Sequence, residues 1–253
     1  MPRIRTQPTL LRVAVAAASL LLFVVAARAE ESAGKALLER LKNLQREADD
    51  GGLASAIDEV PSVYKSEGAA PVQAKLRGAL GKIAKDKKLD SARSAAVRAL
   101  CELDDAKNAW KEMSKLLPSP KVAEGSGLDL EVVRAAGQLA QSKAAKPLLE
   151  LVKKGKDPKL AAAAARALGG FTADVKGRVK ILEELVSLGK RLRPGQSTDK
   201  AAGSAATERW AAVGPAITEG LNELTGRSEK DFEAWEALVE EHKRNLKGLF
   251  PET

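Results

Sequence analysis

A chain with one histidine and one cysteine has few routes to chemistry. His242 falls beside the apolar stripe of the last expected helix. It reads as a side chain packed at the stripe's edge, because a single imidazole builds neither a histidine-based triad nor a zinc site. Cys101 follows Leu100 in an alanine-rich stretch with no histidine near it in sequence, which reads as a small core residue rather than a nucleophile. The acidic pairs Asp49-Asp50, Asp104-Asp105, Glu183-Glu184 and Glu240-Glu241 suggest paired carboxylates or a metal. Adjacent helical positions point about 100° apart, however, so no pair offers both carboxylates to one ion. They read as helix ends and solvated faces. No phosphate-cradling glycine loop, dinucleotide fingerprint or serine elbow is present. The expectation is therefore no catalytic residue, no metal ligand and no cofactor.

What remains is contact chemistry. Trp110 and Trp210 are candidate anchors, since exposed tryptophans are frequent hot spots, although in so aromatic-poor a chain they also suit the space between helix layers. Arg98, Gln138, Arg166 and Glu219 occupy the same place in four similar stretches, two residues before a closing apolar position. Side chains aligned in this way would form a polar ladder along one face. The elements that would align them must be helices. Aromatics make up 3% of the chain, the apolar residues are mainly Leu, Val and Ala, and no strand pattern survives inspection, which argues all-α.

The first 29 residues read as an export signal. Arg3, Arg5 and Arg12 open it, Val13 to Ala27 is almost wholly apolar, and Ala27-Arg28-Ala29 is a small-x-small cleavage pattern. About 15 apolar residues fall short of the ~20 that span a bilayer, so cleavage near Ala29 and release to the periplasm or medium is expected, with an uncleaved anchor as the alternative. Four arginines and no acids leave with the segment, so the formal charge falls from +8 to about +4. That weak basicity gives little reason to expect nucleic acid as a partner. One cysteine allows no internal disulfide.

In chain order, Leu37, Leu38, Leu41 and Leu44 mark a helix ending near Asp49 to Gly52. Leu53, Ile57, Val60 and Tyr64 mark a second, interrupted at Pro61. Pro71 opens a third with Val72, Leu76, Leu80 and Ile83 on one face. Asp90 is expected to cap the fourth, which carries Ala92 to Leu100. Similar alanine-rich stretches recur at Val132 to Ala140, Leu160 to Leu168 and, more loosely, Val213 to Leu221. Amphipathic helices lie between them at Trp110 to Leu117, Pro147 to Val152 and Val179 to Leu192. Each is expected to pair with the alanine-rich helix that follows.

In the third stretch Asp157 and Pro158 suit a helix start, and Gly169 or Gly170 a left-handed exit. Its alanines, including Ala163, Ala164 and Ala167, are expected to let neighbouring helices approach closely. Loop-like insertions at Pro118 to Gly127 and Arg193 to Lys200 separate helices of a pair and are candidate contact surfaces. A capping box at Ser228 to Asp231 opens a final helix to about Leu249.

A helix pair repeated every ~30–50 residues marks a helical solenoid, because neither helix buries its face without the next pair. The x-Ala-Ala-x-Arg-Ala-Leu pattern resembles HEAT repeats. Leu221-Asn222-Glu223-Leu224-Thr225-Gly226, followed by Asp231, Phe232 and Trp235, is similar to the end of exported bacterial HEAT-repeat proteins. A second tryptophan expected a few positions on is replaced by Leu238 and Val239. The resemblance covers about 70–253. It implies an all-α, HEAT-like superhelix of roughly ten to eleven helices, preceded by N-terminal helices over 30–69 and closed by a capping helix over 228–250. Function is then expected to be non-enzymatic recognition of another protein through the concave face. Two alternatives stay open. One is a membrane-surface or envelope-polymer role served by Lys153, Lys154, Lys156, Lys190, Arg191 and Arg193. The other is an enzyme of the DNA glycosylase or bilin lyase type found on HEAT-like folds.

Overall fold

Leucine and alanine at three- and four-residue spacing, interrupted by Asp, Gly and Pro, dictate short amphipathic helices that must share their apolar faces. The computed structural model describes residues 33–171, 175–194 and 202–250, excluding the side chains of 175 and 202–205. The expected export segment and most of the 193–200 insertion lie outside the described residues. A first helix, α1 (33–47), is followed by α2 (Asp50–Asp58), α3 (Val60–Ser66), α4 (Ala70–Ile83), α5 (Asp90–Glu102), α6 (Ala106–Met113) and α7 (Gly127–Leu139). Then come α8 (Ser142–Lys154), α9 (Pro158–Ala167), α10 (Val175–Leu192), α11 (Ala202–Thr225) and α12 (Phe232–Glu241), with 3₁₀ turns at Leu168–Gly170 and Leu246–Leu249. Among the described residues there is no strand.

The helices form an all-α superhelix of two layers. In one layer α2, α5, α7, α9 and α11 pack in succession; in the other, α4 touches α6, α8 touches α10 and α10 touches α12. Four second-layer helices pack on the first-layer helix that follows them, α4 on α5, α6 on α7, α8 on α9 and α10 on α11. All four alanine-rich stretches therefore stand in the same layer, as their shared pattern predicts. That layer also takes in α2, which lies ahead of the segment carrying the repeat resemblance.

Helix α9 sits at the centre, against α7, α8 and α11. Enclosure on three sides explains its composition: every residue from Leu160 to Ala165 is buried, while Lys159 and Arg166 reach solvent. Its neighbours come close because they too are small there. A Cβ on Gly137 of α7 would lie 2.7 Å from the Ala167 Cα and carbonyl oxygen, and one on Gly220 of α11 would strike the Ala165 carbonyl oxygen. The glycine pair after α9 serves the same end. Neither Gly169 nor Gly170 takes the expected left-handed exit. The chain turns in 3₁₀ form, and Cβ atoms there would meet the Glu223 side chain and the Gly137 carbonyl oxygen.

Several helix ends differ from expectation. Asp157 does cap α9, accepting from Lys159 N at 2.7 Å, with Pro158 in the first turn. Asp90 does not cap α5 with its side chain and instead meets Arg93 at 3.4 Å. Asp50, at the start of α2, does that work, accepting from Ser91 N at 3.0 Å and Ala92 N at 2.8 Å. Gly51 and Gly52 belong to α2 rather than to a linker, and Ala48, at φ 56°, turns the chain between α1 and α2.

α8 begins at Ser142, five residues before Pro147, which the helix contains. The final helix is shorter than expected. Asp231 rather than Ser228 caps it, through Ala234 N at 3.0 Å, and it ends at Glu241 before the last 3₁₀ turn.

Two stability measurements check this packing. Gly220→Ala should destabilise by about 1–3 kcal/mol in urea unfolding, because a backbone oxygen cannot yield to the new methyl. Gly78→Ala on α4, where a Cβ meets nothing within 4 Å, should be neutral or stabilise by up to about 1 kcal/mol through helix propensity. A stabilised Gly220→Ala would refute the contact between α9 and α11.

The backbone N–H groups of Ala92 and Ser91 hold the Asp50 carboxyl below its ordinary range. Its contribution is therefore full above the unfolded value near 3.8 and is lost as pH falls through the lowered folded value. Asp50→Ala should cost about 0.5–2 kcal/mol at pH 7, and wild type and variant should converge in acid.

Candidate functional site

The four ladder residues sit on consecutive first-layer helices, Arg98 on α5, Gln138 on α7, Arg166 on α9 and Glu219 on α11, and all are exposed. The ladder is partly cross-linked. Arg98 Nη1 lies 3.3 Å from Glu131 Oε1 on α7, and Arg166 Nε pairs with Glu219 across α9 and α11. Both pairs join one helix to the next. Because they are largely solvated, they set register more than they add stability.

Beside the ladder runs a groove of about 790 Å³ across α7, α9 and α11. Its floor is Gly137, Ala162, Ala163 and Ala167, and its sides include Gln138 and Arg166. The groove follows from the alanine content, since methyl groups fill only the base and leave longer neighbours as walls. Ala164, wholly buried, faces the neighbouring helices as expected, whereas Ala163 and Ala167 keep a sliver of surface in the floor. Sequence reasoning missed Arg134, Lys159 and Glu223, which line the same groove. The signal was there: Arg134 precedes Gln138 by four residues, Lys159 precedes Arg166 by seven and Glu223 follows Glu219 by four, all same-face helical spacings.

The tryptophans do not join this surface. Trp110 is buried, 7% exposed, in second-layer helix α6, so it is core rather than an exposed anchor. Trp210 is half-buried and meets Phe232 edge to face, centroids 5.4 Å apart, which ties α11 to α12. The Pro118–Gly127 insertion is also tethered. Gly125 N donates to Asp157 Oδ2 at 2.6 Å and Lys156 N to the Pro120 carbonyl at 3.0 Å, so the segment is held against the α8–α9 turn.

Several of the titratable residues weighed for chemistry have structural partners. Asp49 caps α2, and Asp105 caps α6 while taking Arg77 at 2.7 Å and Tyr64 at 3.2 Å. His242 closes α12, its Nδ1 3.0 Å from the Leu238 carbonyl oxygen. Among the described residues no group of three or more His, Cys, Asp or Glu is placed to hold a metal ion. No helix among them is long and apolar enough to cross a membrane.

Cys101 lies beside the Ala135 carbonyl oxygen, Sγ to O 3.7 Å. Burial, with a smaller push from Glu102, raises its thiol to about 12 from an ordinary value of 9.0. A shift of that size cuts the thiolate fraction at neutral pH by about a thousandfold. Maleimide labelling of the folded protein should accordingly be slow and become fast in urea. Rapid labelling without denaturant would contradict the packed environment.

No family model, curated protein or solved structure matches this chain.

Proposed function

We propose that this is an exported, non-enzymatic, HEAT-like repeat protein that binds a protein partner along the face formed by α5, α7, α9 and α11. The observation that supports this reading most directly is the shared exposed face of Arg98, Gln138, Arg166 and Glu219 beside an alanine-floored groove. Its chemistry suits a polypeptide. Small apolar residues at the base accept side chains of a partner segment, while Arg134, Lys159 and Arg166 on one hand and Glu223 on the other offer both signs of charge. Mixed charge around an apolar centre favours register and specificity over nonspecific adsorption.

Crosslinking in cells tests the face whatever the partner's identity. A photo-crosslinking residue placed at Gln138 or Lys159 in producing cells should capture one and the same protein, and one placed at Lys111, which is exposed on α6, should not. Arg166→Ala should lower the crosslinking yield while leaving stability within about 0.5 kcal/mol, because the side chain is exposed. Capture only from Lys111, or unchanged capture by Arg166→Ala together with Lys159→Glu, would overturn the assignment of the face. Turnover of a substrate abolished by a single point change would overturn the non-enzymatic reading.

A further inference from the structure

The groove on the first layer has a direction. Gly125, just before α7, donates to Asp157 at the start of α9, and Gly137, near the end of α7, meets Ala167 at the end of α9. Arg209, early in α11, reaches the Gly155 carbonyl ahead of α9, and the Glu223 side chain, late in α11, lies over Gly169 behind it. The three helices are therefore parallel, start beside start and end beside end. Lys159, in the first turn of α9, lines one end of the groove, and Glu223, in the last turn of α11, lines the other. Glu223 stands at the level of Gly169, about ten residues beyond Lys159, so at about 1.5 Å per residue roughly 15 Å of groove separates the two charges.

Neither charge suits its own helix. A cation in a first turn and an anion in a last turn both stand against the helix dipole. Nor is either neutralised nearby. Among the described residues Arg134, Lys159 and Glu223 form no ion pair, whereas Arg98 is taken by Glu131 and Arg166 by Glu219. Arg134 lines the groove between the two ends, and Glu208, exposed further back on α11, does not line it. The free charge is thus positive from Lys159 to Arg134 and negative at Glu223, with Ala162, Ala163 and Ala167 as the floor between.

An occupant that satisfies both ends must itself be dipolar. A wholly acidic segment would set a like charge against Glu223, and a wholly basic one would set like charges against Lys159 and Arg134. An extended chain covers roughly 15 Å in four or five residues, at about 3.4 Å each.

We propose that the groove holds an extended polypeptide segment whose charges are separated, an inference that rests on the partner face assigned above. Its acidic end lies against Lys159 and Arg134, a basic residue four or five positions away lies against Glu223, and small apolar residues between them cover Ala162 and Ala163. The alanine floor supplies contact, and the two charged ends fix which way the segment lies.

Fluorescein-labelled heptapeptides with blocked termini are the probes, read by anisotropy against the purified protein. Two carry separated charges in opposite orders, Asp-Glu-Ala-Val-Ala-Lys-Arg and Arg-Lys-Ala-Val-Ala-Glu-Asp. A third of the same composition, Asp-Lys-Ala-Val-Ala-Glu-Arg, mixes the charges at both ends, and a fourth is wholly acidic. One separated order should bind saturably and at least about tenfold more tightly than the mixed and the acidic peptides. Lys159→Glu and Glu223→Lys should each weaken that peptide at least about tenfold, and the two changes together should transfer the preference to the opposite order. Both side chains are exposed, and each change gives its helix end the charge that the dipole favours, so Tm should be equal or higher and loss of fold does not confuse the result. No saturable binding of either separated peptide, equal affinity for the mixed or acidic peptide, or binding unaltered by both single changes would each overturn the separated-charge segment. Such a failure leaves the partner face standing if crosslinking from Gln138 and Lys159 still captures one protein, whereas failure of that capture removes the face itself.

Discussion

The close approach of α7 and α11 to α9 is the constraint on which the rest of the molecule depends. Gly137 against Ala167 and Gly220 against Ala165 leave no room for a side chain at either crossing. Helices that meet through glycine and alanine bury little area of their own, so the bulk of the core must come from elsewhere. It comes from larger residues beside the crossings, Val132, Val133, Ile217 and Leu221 in the same layer and Leu148, Leu151, Val152, Ile181, Leu182, Leu185 and Val186 of α8 and α10 in the other.

Polar clasps hold the layers in register. Arg209 of α11 closes the carbonyl end of α8, Asp157 joins the start of α9 to Gly125, and Asp50 of α2 caps α5. At the far end Asn222 accepts from Trp235 Nε1 at 2.8 Å and Glu229 N at 3.0 Å and donates to the Glu229 carbonyl. These bonds satisfy helix-terminal groups that water would otherwise have to reach. They also explain the Leu-Asn-Glu-Leu-Thr-Gly exit: Gly226, at φ 71°, turns the chain so that Phe232 can settle against Gly189 and Trp210.

The two layers carry concavities with different linings. On the alanine layer, short side chains make a shallow floor and the longer polar residues beside them make walls, giving a groove open to a polypeptide. On the leucine layer, bulky side chains of α8 and α10 surround a more apolar space, with one buried guanidinium in its wall. The scaffold thus presents two chemically distinct surfaces.

Whatever depends on residues three or four apart was legible in the sequence: the helices, their alternation, the Asp157-Pro158 start and the shared face of Arg98, Gln138, Arg166 and Glu219. Those features are local, because helical geometry by itself carries each side chain to a known side. What depends on a partner far along the chain was not. Asp50 rather than Asp90 caps α5, Trp110 is buried rather than presented, and Gly169 and Gly170 serve close packing rather than a left-handed turn. Nothing in the local spacing singles out Arg178. Its burial, its unmatched N–H pair and the ring of Phe250 above it exist only after α8, α10 and the chain's end have packed together. The physical reason is the same in each case: periodicity sets which face a residue occupies, but only the arrangement of layers decides whether that face meets water, a helix or an empty space.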